Sequence, residues 1–274
     1  MRMSTIVFQS YRTHDVPAWI TRCLDSVRAW AELAGHAYAF IDDRLFDYLP
    51  AWYAPAVGNR LLPRTNLARL LAARDYLAQG HDCAIWIDAD VLVFDPPRWS
   101  VAPGPEGFAF TREIWFETRW GAPVTRFGVN NAVFAVAKDN PFLEFCIWAH
   151  ERIARTNTEI HDYATTTRLL TDLHRGAPLP LITSVGLVSA IVNRAIRERR
   201  AGELRAYMQA HGTAVQAANL SGSIVGRKVN DIALTPADQL AIIDVLLETR
   251  GGVLNDALAP AVTPASRAPP GSAP

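Results

Sequence analysis

At roughly 150 residues per domain the 274-residue chain has room for one or two domains, and α/β chains of this size commonly form a single one. Half of the residues are apolar (50%) and a fifth are charged (20%), which excludes a mainly disordered or collagen-like protein. The 27 basic residues are balanced by 27 acidic ones, so no net field exists to grip a nucleic-acid backbone or an anionic membrane.

In chain order, Thr5-Ile6-Val7-Phe8 reads as a short buried strand, and Asp15 then offers an N-cap with Pro17 two positions on. Ile20, Cys23, Leu24, Val27, Trp30, Ala31 and Ala34 follow at three-four spacing up to Gly35, the pattern of an amphipathic helix. His36 to Ile41 reads as a second strand, ending at Asp42-Asp43, so the chain opens as a βαβ unit. After a Pro- and aromatic-containing connection from Pro50 to Pro63, Thr65 is positioned to cap a helix through Leu67, Leu70, Leu71, Leu77 and Ala78, ending at Gly80. Cys83-Ala84-Ile85-Trp86-Ile87 is a nearly continuous apolar run, as expected for a strand covered on both faces, and delivers Asp88-Ala89-Asp90 at its C-terminal end. Further apolar runs lie at Val91 to Phe94, Phe108 to Phe110 and Ala132 to Ala137. Helical patterns lie at Pro141 to Ala154, Tyr163 to Leu173, Leu187 to Arg199 and Pro236 to Glu248. From Leu258 onward the chain is mostly Ala, Pro, Ser, Thr and Gly with one Arg, the composition of a disordered tail, which leaves residues 1–257 as one folded domain. The expected fold class is α/β, with a mostly parallel central sheet flanked by helices.

Cys23, Cys83 and Cys146 form no CxxC and sit among apolar neighbours, as buried thiols of a reducing compartment do. The N-terminal apolar run is too short for a secretory signal, and prolines, a glycine and hydroxyl residues break the uncharged stretch between Arg175 and Arg194, which argues against a membrane span. A cytoplasmic location is therefore expected. All but two of the basic residues, Lys138 and Lys228, are arginines, suited to planar recognition of phosphate or carboxylate, although coding bias gives the same excess.

Strand residues two apart share a face and lie about 6.5 Å apart, so Asp88 and Asp90 can address one site if the strand geometry holds. Two carboxylates there repel unless a cation or donors lie between them. Hard oxygen ligands suit Mg²⁺ or Mn²⁺, which take further ligands from a substrate's phosphates. An Asp-x-Asp is by itself more often turn chemistry. The stretch Thr65-Asn66-Leu67-Ala68-Arg69, then Tyr76-Leu77, Gly80 and Ile85-Trp86-Ile87-Asp88-Ala89-Asp90-Val91, resembles the DXD-containing sugar-binding region of nucleotide-sugar glycosyltransferases with the GT-A fold. The resemblance is specific over Thr65 to Val91 and vaguer from residue 4 to about residue 225.

That resemblance implies a nucleoside-diphosphate-sugar donor and Mn²⁺ or Mg²⁺. It assigns Asp90 to the metal, Asp88 to the donor sugar or ribose and the metal's waters, and Arg69 to sugar hydroxyls. Asn66 stands where the family usually has Asp, which leaves the amide able to bond hydroxyls but without charge. Asn130-Asn131-Ala132-Val133-Phe134 resembles the strand start that lines the donor-sugar side in retaining members, although a turn before a strand explains it as well. Many members add a late histidine ligand near a Gly-Ser pair; here Gly222-Ser223 is preceded by Asn219 and His211, which stand as the candidate remaining ligands. Arg12, after the first strand, could supplement the charge on the diphosphate. Asp162, with Glu159 and His161, could face the acceptor, while a solvated helix start explains the same residues. No carboxylate base is evident, and the families resembled retain configuration. The acceptor is an unidentified glycan, lipid-linked or small molecule.

Two other functions fit the same residues. Asp88-Ala89-Asp90-Val91-Leu92-Val93 also matches the strand end of a haloacid-dehalogenase-type phosphatase with Asp88 as nucleophile, although that motif normally opens its domain and paired metal-binding acids are not evident after it. A nonenzymatic sugar-nucleotide-binding protein would keep the acidic pair without turnover.

Overall fold

The computed structural model describes residues 3–120, 122–157, 160–165 and 167–258. The tail from 259 and Glu159 lie outside these described residues.

A six-stranded sheet is laid down around the first βαβ unit. Strand β1 (Thr5–Ser10), helix α1 (Ala18–Ala34) and strand β2 (Ala37–Ile41) are followed by a single helical turn α2 (Tyr53–Ala56), helix α3 (Leu61–Ala78), strand β3 (Cys83–Ile87) and the short strand β4 (Val91–Val93). The long strands β5 (Phe108–Arg119) and β6 (Ala122–Ala137) precede helices α4 (Pro141–Thr156) and α5 (Thr167–Gly176). Strands β7 (Leu181–Ile182) and β8 (Val185–Leu187), helices α6 (Ala190–Arg197) and α7 (Ala201–His211), strand β9 (Ala217–Asn219) and helix α8 (Pro236–Glu248) complete the framework. The main sheet has the order β2-β1-β3-β6-β5-β7. Its pairings are parallel except where β6 meets β3 and β5, so β6 alone runs against the rest. A second sheet, β4-β9-β8, sits beside it. The expected α/β class with a mostly parallel, helix-flanked sheet is what forms.

Why β3 carries so little polarity follows from its position. Ala84 and Trp86 point into the core beneath α3 and α4 with Ile6, Phe8 and Phe134. Cys83, Ile85 and Ile87 point into the opposite core with Val7, Val27 and Trp30. Both faces are covered, so alternation of polarity is absent and the strand reads as one apolar run. A third core gathers α1, α6, α7 and α8 around Trp19, Ile20, Tyr207 and Ile242. All three cysteines are free and buried. No helix among the described residues is long and apolar enough to cross a membrane.

Several local expectations are corrected. Helix α1 starts at Ala18 with Pro17 as its N-cap and no side-chain cap bond, and Asp15 instead takes a left-handed conformation in the preceding loop (φ 48°). Helix α3 begins four residues before Thr65, because Pro63 is tolerated in a first turn; the Thr65 hydroxyl donates back to Leu61 O at 3.0 Å. Strands β5 and β6 run far beyond their expected apolar ends as a two-stranded ribbon, paired from Thr111↔Asn130 out to Arg119↔Ala122. There Ile114 and Phe116 face the third core while Glu113 and Trp115 face the other side, a half-buried alternation that an apolar-run reading misses. Helix α7 was not anticipated: its N-cap, Arg200, makes no cap bond, and Gly202 occupies its second position.

Trp30 is a sensitive reporter of this packing. It is 1% exposed, its ring lies 4.3 Å from that of Trp99, and its Nε1–H donates to Trp99 O at 3.0 Å. Trp30→Ala is expected to cost about 3–5 kcal/mol in denaturant unfolding; a loss under about 1 kcal/mol would mean the α1–sheet interface is not tightly packed.

Candidate active site

Strand geometry does not persist through the acidic pair. Strand β3 ends at Ile87, and Asp88-Ala89-Asp90 is a turn closed by Val91 N–H donating to Asp88 O at 3.1 Å. Both carboxylates nevertheless line one cleft of about 660 Å³, a size suited to a small-molecule ligand.

Each acid is fixed by a different part of the chain. Asp88 Oδ1 accepts from Arg69 NH1 at 2.9 Å and from Trp86 Nε1 at 2.6 Å, which leaves Oδ2 to the cleft. Asp90 Oδ2 accepts from Gly222 N–H at 2.7 Å, in the loop after β9. Gly222 eases this approach: a Cβ there would stand 3.1 Å from Asp90 Oδ2 and 3.0 Å from the Trp19 ring, so those side chains would have to give by a few tenths of an ångström.

Arg69, on α3, is 4% exposed and bound on several sides. Its NH1 donates to Asp88, to Asn131 O at 2.8 Å and to Asn131 Oδ1 at 3.2 Å, and its Nε donates to Thr65 O at 3.3 Å. The guanidinium also sits over the Trp86 ring, 5.0 Å from its centroid. Arg69 is therefore a buried cation that touches the cleft, and its bridge to Asp88 is not an exposed surface pair. Asn66, one helical turn earlier, lines the same cleft at 2% exposure, and its buried Nδ2 has no hydrogen-bond partner. An unmet buried donor facing a cleft is the kind of group a ligand acceptor would satisfy.

Asn130 and Asn131 both reach the cleft although neighbouring strand residues should point opposite ways. The ladder between β5 and β6 is irregular here, shifting register between Phe110 and Thr111. Thr111 fills the gap, its hydroxyl donating to Val133 O at 2.6 Å and accepting from Val133 N–H at 3.0 Å. Such irregularities re-aim side chains. Asn130 Oδ1 accepts from Ala132 N–H at 3.1 Å while its Nδ2 donates to Glu113 Oε2 at 2.8 Å.

Electrostatically, the inner end of the cleft carries excess negative charge. Burial pushes the carboxyls of Asp88 and Asp90 up; the Arg69 charge and the Trp86 bond oppose this for Asp88. Asp90, which also feels Asp88, is pushed up to about 6 despite the Gly222 bond. Two carboxylates against one guanidinium fit a divalent cation that draws its remaining ligands from water or phosphate. The described residues hold no cluster of three His, Cys, Asp or Glu side chains that would cage a metal by themselves.

The remaining sequence candidates separate. Asn219 lines the cleft at the end of β9, with its Oδ1 accepting from Ser221 N–H at 2.7 Å. His211 does not line it: as the last residue of α7 it is 1% exposed, with Nδ1 3.1 Å from Arg112 NH2 and Nε2 3.4 Å from Val185 O. Burial and the Arg112 charge push its pKa down, as for a packed neutral imidazole. Arg12 is spent on its own loop, donating to His14 O and Asp15 O, and Asp162 pairs with Arg60 at 3.3 Å on the surface; neither lines the cleft. Sequence reasoning missed Glu113, Trp115 and Arg126 on the ribbon, and Arg168, Thr171 and Arg175 on α5, all cleft-lining. Burial pushes Glu113 up as well. The alternation Glu113, Trp115 against Ile114, Phe116 was the available signal for the ribbon residues.

An acid whose folded-state pKa is raised destabilises the fold when ionised; the penalty is full above that pKa and vanishes below the unfolded value near 4. Asp90→Asn should therefore stabilise the metal-free protein on the order of 2 kcal/mol at pH 8 and have almost no effect at pH 4. Melting temperatures at the two pH values check this, and a destabilised variant at pH 8 would make Asp90 a structural anchor.

No protein-family model and no curated protein matches the sequence. Among solved structures, the chain is similar to a glycosyltransferase involved in glycosylation of the major capsid of PBCV-1 (12% identity, 87% of this chain and 98% of that one, TM-score 0.48). It is similar to the galactosyltransferase LgtC in complex with donor and acceptor sugar analogues (16%, 90% and 99%, TM-score 0.48). A third similar structure is the PaToxG glycosyltransferase (16%, 92% and 87%, TM-score 0.37).

Proposed function

We propose that this protein is a metal-dependent glycosyltransferase of the GT-A type. It moves a sugar from a nucleoside-diphosphate sugar to a hydroxyl of an unidentified glycan, lipid-linked or small-molecule acceptor, with retention. The observation that carries this reading is the acidic turn at the end of β3: two carboxylates in one cleft, only one of them neutralised by Arg69. The three unpaired cysteines support a cytoplasmic location.

Asp90 and the free oxygen of Asp88 would hold Mn²⁺ or Mg²⁺, with Asn219 at the same end of the cleft. When bound, such an ion stabilises negative charge on the departing diphosphate as a Lewis acid. The chain's own residues do the rest. Asn66 Nδ2 donates to a sugar hydroxyl, meeting its missing partner. Arg69 orients Asn131 through its side-chain oxygen, so the amide Nδ2 is presented in a fixed direction. Glu113, anchored by Asn130, sets a carboxylate beside the sugar, where it opposes the positive charge that grows on the ring as the leaving group departs.

Incubation with a panel of sugar nucleotides and Mn²⁺ tests this: slow release of nucleoside diphosphate is expected and should be absent in Asp90→Asn. Phosphomonoester hydrolysis without nucleotide release would favour the phosphatase, and metal-dependent binding without turnover a binding protein. The anomeric configuration of the product, read by NMR, should match the donor; inversion would make Glu113 a base for the acceptor hydroxyl.

Asn66 and Arg69 should separate in their effects. Asn66→Ala should raise the donor KM about tenfold with no loss of stability, since no internal bond of its Nδ2 is broken. Arg69→Ala should lose donor use and also about 3 kcal/mol of stability, because Asp88 is left only 26% exposed and without its cation. If Asn66→Ala destabilises as much as Arg69→Ala, both are structural.

A further inference from the structure

The outer end of the cleft is built differently from the acidic inner end. Arg126, Arg168 and Arg175 line it together with Trp115, Phe127 and Tyr163. Phe127 and Tyr163 are exposed there.

Two carboxylates hold these guanidiniums in place. Glu117, largely buried, accepts from Trp115 Nε1 at 3.1 Å, Arg126 NH2 at 3.0 Å and Arg119 Nε at 2.8 Å. Asp172 on α5 accepts from Arg175 NH1 at 2.8 Å and lies 3.9 Å from Arg168 Nε. Each carboxylate thus serves two guanidiniums, and each cluster keeps one positive charge. Glu113 lies near enough to attract Arg126 and offsets one of them, which leaves the outer end net positive.

Strand β6 separates the two ends. Asn131 accepts from Arg69, while Arg126, five residues earlier, donates to Glu117, a spacing of about 17 Å at 3.4 Å per residue. A donor held at the acidic turn leaves the outer end free. The aromatic faces suit the apolar side of a sugar ring, and forked guanidiniums suit a planar or tetrahedral anion.

We infer that the outer cleft is a subsite for an anionic saccharide, one carrying a carboxylate or a phosphate, and that this is the class of the acceptor. The acceptor role rests on the transferase reading above; the anion subsite does not.

The test uses three small probes with the full-length protein: methyl β-glucuronide, glucose 6-phosphate and the neutral methyl β-glucoside, titrated by calorimetry or NMR at low salt. At least one anion should bind about tenfold more tightly than the glucoside, and the tighter of the two identifies the anion as carboxylate or phosphate. The preference should shrink at high salt, where exposed charges are screened. It should fall below about twofold in the double variant Arg126→Gln/Arg175→Gln, whose exposed positions keep the fold intact by melting temperature. Saturating UDP or GDP with Mn²⁺ should not displace the anion. Equal binding of charged and neutral sugars, a preference that survives the double variant, or displacement by the nucleotide would each overturn the inference, the last by giving the arginines to the donor's phosphates. Anion selectivity in a protein that never turns over any donor would leave the subsite standing and remove the transferase reading.

Discussion

A guanidinium withdrawn from water must be surrounded by acceptors, and Arg69 organises its half of the molecule by that demand. The helix supplies one through Thr65, the end of β3 supplies Asp88, and the irregular stretch of β6 supplies both oxygens of Asn131. Helix α3, the end of β3 and strand β6, which lies 62 residues from Arg69 at Asn131, are thereby tied at one point. The Trp86 ring beneath the guanidinium closes the remaining side and spends its own N–H on the same carboxylate oxygen. The cost of burying the cation fixes the direction of Asp88, so the orientation of an acid in the cleft is a by-product of satisfying a base behind it.

The second acid obeys a different constraint. Asp90 has no cation partner; it is held by a backbone N–H from Gly222 and left with most of its charge uncompensated. A neutral donor orients a carboxylate without removing its appetite for a positive ion. The contrast between the two residues separates their chemistry: one is locked, the other is poised, and a glycine lets the holding loop come close without crowding the carboxylate.

How much of this could be read from the chain depends on whether the information was local. β3 and its acidic end were legible because burial on both faces writes itself as an uninterrupted apolar run. Asn66 and Arg69 were legible through the family resemblance over Thr65 to Val91, and their three-residue spacing puts them on one helical face. Asn130 and Asn131 were legible as residues but not as geometry, since the register shift that turns both inward arises from pairing with β5. Glu113 and the arginines were missed for a related reason: their convergence comes from a ribbon and a helix some way apart in sequence, and each segment alone reads as solvated surface. His211 misled in the opposite sense: its place ahead of Asn219 and Gly222-Ser223 made it a candidate ligand, but as the last residue of α7 it is packed away from the cleft.

The bond from Gly222 to Asp90 joins residues 132 positions apart, and it has a consequence for biosynthesis. A nascent chain exposes the acidic turn early, soon after β3 emerges, while the loop that aims Asp90 is synthesised much later. Until that loop docks, the Asp90 carboxylate lacks the backbone donor that aims it and is free to turn away from Asp88. Closing so long a segment carries a loop entropy that only the packing of the later helices offsets. The full arrangement of the two acids thus depends on a late segment of the chain, and a chain that stops before Gly222 carries the acids without the bond that aims Asp90.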